Sequence, residues 1–184
     1  MKQKLLSKSF FNKDTVKTAK ALLGKIIKYK NTSGIIIETE AYKGKEDGDE
    51  ASHAFKKTER SELMYNSYGK FYIYFIYGNY YCLNITAEKN KPGAVLIRAI
   101  KPIKGIKNME KRRQRKDNLT DGPGKLCQAL NITKALNGTD INDKIKILKG
   151  IKIKNSQIGC SSRIGINKAQ HLKWRFFVKE KDAS

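Results

Sequence analysis

The sequence predicts an α+β fold: one mixed domain, residues 1–184, with a curved, mostly antiparallel β-sheet flanked by helices. A protruding β-hairpin is expected at about residues 71–86. Three observations predict this fold. Short runs rich in β-branched and aromatic residues recur along the chain. A capped amphipathic helix precedes them, and no internal repeat or linker divides the 184 residues, a length at which one buried core is the natural outcome.

The elements follow in order. Asp14 can accept from the first-turn amides of TVKTAKALLG, where Val16, Ala19, Leu22 and Leu23 form an apolar stripe and Gly24 ends the helix. KIIKYK and GIIIETEAY read as two strands around a turn at Asn31-Thr32-Ser33-Gly34. From Lys43 to Lys70 the chain is polar and lacks strand periodicity, and a segment this long is more often functional or mobile than padding. FYIYFIY, YYCLNIT and GAVLIRAI fit an antiparallel meander. GIKNMEKRRQRK is a basic helix, and Gly122-Pro123-Gly124 opens a short one over KLCQAL, with proline tolerated in the first turn. IKIL and IKIK are weak strands, and the chain ends in GCSSRIGI and a last strand, WRFFV.

Charge narrows the partners. Lys and Arg number 39 against 17 Asp and Glu, a net charge of +22 that attracts polyanions, nucleic acid first and an anionic membrane surface second. Lys, Ile and Asn are all heavily used, as an AT-rich genome would favour, so part of the charge carries no functional message. No apolar run approaches the ~18 residues of a membrane span, and the start lacks a signal-peptide pattern. A cytoplasmic protein is the expectation. Cys82, Cys127 and Cys160 are scattered and odd in number, and His53 and His171 show no ligand spacing with them. Neither a disulfide framework nor a metal site is expected.

Chemistry concentrates in IIIETEAY. Residues two apart on a strand share a face, so Glu38, Glu40 and Tyr42 point one way and Ile37, Thr39 and Ala41 the other. Two carboxylates and an aromatic ring are not ordinary core. They face solvent, or they put a general base beside a cleft. Arg98 lies within AVLIRAI, a run too apolar for a surface strand, and needs an anionic partner or a ligand. It forms a structural pair with Glu38, or it pairs with Glu40, keeps that carboxylate ionised and helps to hold a water.

ETEAY, a downstream His-Ala, FYIYFIYGNYYCLN, LIRAIKPIKG and DGPGKLCQAL occur in the order of the 3-methyladenine (alkyladenine) DNA glycosylases. FFNKDTVKTAKALLGK at the start and SSRIGI near the end extend the resemblance over nearly the whole chain. The resemblance implies a monofunctional base-excision enzyme, without metal or cofactor, whose partner is double-stranded DNA containing damaged purines. Such an enzyme flips the purine out, hydrolyses its N-glycosidic bond and leaves an abasic site. Catalysis maps to Glu40, with Arg98 and the backbone carbonyl of Ile164 holding the water. The base pocket maps to Tyr42, His53, Tyr74 and Asn84, and the wedge inserted into the DNA stack to Tyr77. Arg60, Asn79 and Lys125 fall among the expected DNA contacts. The chain departs from the family pattern in a Tyr42-to-His53 spacing about two residues longer, and in Glu59 where a proline is usual.

A shared pocket requires Tyr74 and Asn84 on one face of the hairpin. A two-residue loop would separate them, whereas a three-residue loop, Gly78-Asn79-Tyr80, pairs Tyr77 with Tyr81 and Tyr74 with Asn84. The odd loop or an equivalent bulge is therefore expected, with Phe71, Ile73 and Phe75 facing the core. A monomer associated with the nucleoid is expected too. The alternative reading is a non-catalytic, basic nucleic-acid-binding module, which has no need of Glu40 or Arg98.

Overall fold

The computed structural model describes residues 4–76 and 78–179. Its helices are α1 (Thr15–Leu22), α2 (Glu62–Asn66), α3 (Ile106–Arg113) and α4 (Pro123–Leu130). Its strands are β1 (Ile26–Tyr29), β2 (Thr32–Lys43), β3 (Phe71–Ile76), β4 (Tyr80–Thr86), β5 (Gly93–Lys104), β6 (Lys146–Leu148), β7 (Ile158–Ser161) and β8 (Arg175–Val178). The eight strands make one sheet in the order β3-β4-β5-β2-β1-β6, with β8 paired to β2 and β7 to β8. Every pairing is antiparallel among the described residues. The expected α+β class is the observed one.

β2 organises the sheet because its twelve residues expose two long edges. β5 runs along one edge from Ser33 to Lys43. The other edge is divided, with β1 on Thr32–Ile35 and β8 on Glu38–Glu40. Ile36 pairs with Ile100 and Glu38 with Ala99, so Ile37 is the extra residue of a bulge. A bulge resets the alternation of faces. Ile36, not Ile37, therefore joins Thr39 and Ala41 in the fully buried layer.

That layer packs against helices. α1 is capped by Asp14, whose Oδ1 accepts from the Lys17 amide at 2.9 Å, a contact worth ~1 kcal/mol. It buries Ala19 and Leu22, and α4 buries Leu126, Ala129 and Leu130. Both meet the sheet residues Phe71, Ile73, Leu83, Ile85, Val95 and Ile97 in one core. The opposite face of the sheet lies under the long 44–68 segment, which is folded rather than loose. It contains short 3-10 turns at Lys45–Asp47 and His53–Phe55, and then α2. Its Ala54 and Met64 pack on Tyr72 and Ala94.

Four local expectations are corrected. The β1–β2 turn is tighter and earlier: Tyr29 pairs with Thr32 across Lys30-Asn31, and Thr32 to Gly34 belong to β2. Residues 151–154, IKIK, form no strand. In the hairpin Ile76 pairs with Tyr80, so the connection spans 77–79 and is odd, but the register differs by two residues from the one expected. Tyr74 opposes Cys82, and Asn84 opposes Tyr72. Parity survives a shift of two, so Tyr72, Tyr74, Cys82 and Asn84 still share a face. Phe75 is 47% exposed and stacks on Tyr81 with ring centroids 4.9 Å apart, because the core ends before the hairpin does.

One ammonium group ties three segments together. Lys43 Nζ lies 2.8 Å from Asp14, 3.0 Å from Asp47 and 3.3 Å from Glu88, with its side chain 6% exposed. It thereby joins the start of α1, the first turn of the long segment and the β4–β5 connection. Lys43→Met should lower the unfolding free energy by about 3 kcal/mol, the scale for stripping one partner from a buried ion pair. Lys8→Met, which breaks the half-exposed pair with Asp140, should cost less than about 1 kcal/mol. Urea denaturation of the two variants checks the contrast.

Candidate active site

Strand parity builds the site. While alternate residues fill the core, Tyr72 and Tyr74 of β3, Cys82 and Asn84 of β4, and Leu96 and Arg98 of β5 point to the other face. There they line a cavity of about 690 Å³ with Tyr42 of β2 and His53 of the long segment. The cavity continues past Ile164 to Arg113 and Arg115 at the end of α3 and Lys125 in the first turn of α4.

Glu40 is fully buried, at 0% exposure. Its Oε1 accepts from the Ile164 amide at 2.8 Å and lies 3.4 Å from Arg98 Nε. Its Oε2 accepts from the Tyr42 hydroxyl at 2.8 Å. Burial pushes its pKa above the ordinary carboxylate value, against the opposing pull of Arg98 and of the two hydrogen bonds, while Glu38 adds to the rise. Arg98 pulls toward the ionised form, as one of the two open readings has it, but burial outweighs that pull. Arg98 serves both alternatives open in the sequence: its Nε donates to Glu38 Oε1 at 2.9 Å while standing close to Glu40.

The aromatic wall is a connected set. His53 Nδ1 and the Tyr72 hydroxyl are 2.8 Å apart, and the His53 ring meets Tyr74 edge-on at 4.6 Å. Burial, helped by the nearby positive charge of Arg60, pushes the His53 pKa down to about 4. The Tyr42 and Tyr74 hydroxyls are raised by burial and stay protonated. Asn84 Nδ2 donates to the Tyr72 carbonyl at 2.9 Å, which fixes the orientation of its amide. Arg60, expected among the DNA contacts, lies 4.8 Å over the Tyr74 ring at the rim.

Glu40, Arg98, Ile164, Tyr42, His53, Tyr74 and Asn84 are therefore brought together, and Lys125 lies further along the same cavity. Asn79 is exposed at the tip of the hairpin, apart from the cavity lining. Tyr77, the expected wedge, lies outside the described residues. Among the described residues, no group of three His, Cys, Asp or Glu side chains is arranged to hold a metal ion, and no helix is long and apolar enough to cross a membrane.

Sequence reasoning missed the ion pairs that support this wall. Arg163 and Asp49 form a two-pronged pair at 2.8 and 2.6 Å with both side chains at 0% exposure. Arg163 also donates to the Ala41 carbonyl at 3.0 Å and lies 4.5 Å over the Tyr42 ring. Asp49 accepts in turn from the Lys43 amide at 2.8 Å. The pair clamps the His53-bearing segment to β2 and sets Ile164, the next residue, against Glu40. Arg175 was missed as well, although its place inside the apolar run WRFFV is the signal that singled out Arg98.

The depressed His53 pKa has a sign that can be tested. The stability conferred by a neutral His53 is complete above its ordinary value of 6.5 and is lost as the pH falls toward about 4. An NMR titration of the ring should show His53 uncharged at pH 5.5. Protonation at or above its ordinary value would contradict the buried placement.

The sequence pattern of the methylpurine-DNA glycosylase (MPG) family matches residues 9–182. A protein of Clostridium novyi (strain NT) named "Putative 3-methyladenine DNA glycosylase" is 44% identical, with 96% of each chain covered. Proteins of the same name from Clostridium acetobutylicum and Chlorobium phaeobacteroides are 40% and 42% identical over 95% of this chain, covering 94% and 93% of their own. The chain therefore belongs to the methylpurine-DNA glycosylase family.

Proposed function

We propose that this chain flips alkylated or deaminated purines of the 3-methyladenine, 7-methylguanine and hypoxanthine type out of duplex DNA and hydrolyses their N-glycosidic bond with water activated by Glu40. It acts as a monomer in the cytoplasm, at the nucleoid, and leaves an abasic site without lyase chemistry. One observation carries the reading: a fully buried carboxylate with a raised pKa beside a cavity walled by aromatic rings.

Extruding a base costs a few kcal/mol, least for a damaged pair, and stacking on aromatic rings returns ~1–3 kcal/mol per base. Tyr42 and Tyr74 supply those rings, and an electron-poor alkylated purine suits them. His53 stays neutral and adds no charge against a cationic base. Asn84, held by the Tyr72 carbonyl, occupies the place where the amino group of normal guanine would need to fit. Arg60 guards the rim over Tyr74, and Arg113, Arg115 and Lys125 take DNA phosphates along the open end of the cavity. Asn79 meets the duplex at the hairpin tip, and Tyr77 is the wedge that enters the base stack.

In the reaction the C1′–N9 bond breaks and its electron pair leaves with the base, cancelling the charge of an alkylated purine, whereas a neutral hypoxanthine takes up a proton from solvent as it leaves. Positive charge building on the sugar is stabilised by the Glu40 carboxylate. Water, held by Arg98 and the Ile164 carbonyl, bonds through oxygen to C1′, and its proton passes to Glu40 and then to solvent. A carboxylate whose pKa lies above the ordinary value is the better base for this step.

Glu40→Gln keeps the shape and lets the amide oxygen accept from Ile164 while the amide NH₂ donates to the Tyr42 oxygen. Single-turnover release of free base from methylated duplex DNA should fall by ~10²-fold or more. DNA binding should persist, and thermal stability should not drop, because a desolvated charge has been removed. Release within tenfold of wild type would overturn the role of Glu40. No release by wild type at any salt concentration would favour the non-catalytic binding module.

A further inference from the structure

Glu40 shares its face of β2 with a second carboxylate. Glu38 Oε1 lies between two guanidinium groups, accepting from Arg98 Nε at 2.9 Å and from Arg175 Nε at 2.6 Å. The same Arg98 Nε is 3.4 Å from Glu40 Oε1. One donor is therefore divided between two acceptors and lies nearer to Glu38 than to the more deeply buried Glu40. The side chains of Glu38, Glu40, Arg98 and Arg175 are 17%, 0%, 13% and 22% exposed, so their mutual fields are only weakly screened.

We propose that Glu38, braced by Arg175, is a positioning residue that sets the basicity of Glu40 by holding Arg98 back from it. Arg98 would otherwise close on Glu40, the more deeply buried anion, and make it a weaker base. Spending Nε on Glu38 also orients the guanidinium: among the described residues no hydrogen bond engages the terminal nitrogens of Arg98, which lines the cavity. Arg175 has its own brace, since Nη1 donates to Ser161 Oγ at 3.1 Å and the guanidinium lies 4.7 Å over Phe177. The β7–β8 pair, remote from the base pocket in sequence, is thereby linked to the chemistry.

Other groups also act on Glu40. On its own strand these are Glu38 and the Tyr42 hydroxyl, and on β5 Arg98. The segment after β7 contributes the Ile164 amide and also Arg163, whose charge is matched by Asp49. β4 contributes the Cys82 thiol, which burial keeps protonated, and β8 contributes Arg175 opposite Glu40 in the register. Of these, Glu38 and Arg175 can be changed without removing any direct hydrogen bond to Glu40.

The two changes act in opposite directions. Glu38→Gln removes a negative charge and frees Arg98 to turn to Glu40, so Glu40 should titrate at lower pH than in wild type. Arg175→Met leaves Arg98 as the only cation on Glu38, draws it from Glu40, and should raise the titration. The test is a ¹³C NMR titration of the Glu40 carboxyl, assigned by its loss in Glu40→Gln, in wild type and both variants. Single-turnover base release and DNA affinity are measured alongside.

Midpoints that move apart, with DNA affinity unchanged and release within about tenfold of wild type, fit a residue acting through Arg98, since removing a general base costs ~10²–10⁴-fold. Midpoints that stay put, or move the same way while thermal stability falls, would overturn the proposal and leave Glu38 as a structural ion-pair partner. If Glu38→Gln does not fold, Arg175→Met decides alone, and an unmoved or lowered midpoint is fatal. The catalytic part of the inference rests on the proposed function, but the titration does not. A wild type that releases no base defeats that function and leaves the electrostatic claim to be judged by its own midpoints.

Discussion

The site depends on keeping one carboxylate out of water. Burying an ionised carboxylate costs several kcal/mol even after the protein relaxes around it. Glu40 is tolerated at 0% exposure because donors reach it from three parts of the chain: the Tyr42 hydroxyl on β2, Arg98 on β5 and the Ile164 amide beyond β7. The architecture of the sheet supplies these donors. β2 is long enough to pair with β5 along one edge and to hold β8 on the other, and the bulge at Ile37 turns Glu38 and Glu40 away from the core. The donors only partly offset the desolvation, and the remaining imbalance holds the Glu40 pKa above the ordinary carboxylate value.

A second buried pair keeps that arrangement closed. The sheet positions Glu40, Arg98, Tyr74 and Asn84 on rigid strands, but His53 belongs to a segment with few apolar anchors of its own. Arg163 and Asp49 hold this segment to the Ala41 carbonyl and the Tyr42 ring, and Lys43 pins its first turn to α1. Breaking such a pair is far costlier than forming it is favourable, because the surviving charge is left buried. The clamp therefore shapes the aromatic cavity and ties the long segment to the sheet at once.

Much of this was legible in the residues. Period-two alternation in IIIETEAY put Glu38 and Glu40 on one face, and Arg98 stood out because an ionisable side chain in the apolar run AVLIRAI needs a partner; the choice of Glu40 over Glu38 came from the family resemblance. Asp14 and Gly24 bounded α1 through capping chemistry that acts within one turn. What escaped was non-local. Asp49 is one of five residues in the run EDGDE, where nothing local separates a buried carboxylate from solvated ones. Arg163 is one of 39 basic residues, and only its distant partner distinguishes it. The bulge at Ile37 and the two-residue shift of the hairpin register depend on pairing across strands, which alternation along one strand does not encode. Parity is robust to a shift of two, so the residues sharing the pocket face were right although their partners were not.

Activation of water by a Glu40 of raised pKa is tested by single-turnover release of a methylated purine by wild type as a function of pH. Release should fall on the acid side with the slope of one proton, at a midpoint above the ordinary glutamate value of 4.5. The residual rate of Glu40→Gln should lack that limb. A wild-type midpoint at or below 4.5, or an acid limb that survives unchanged in Glu40→Gln, would contradict it.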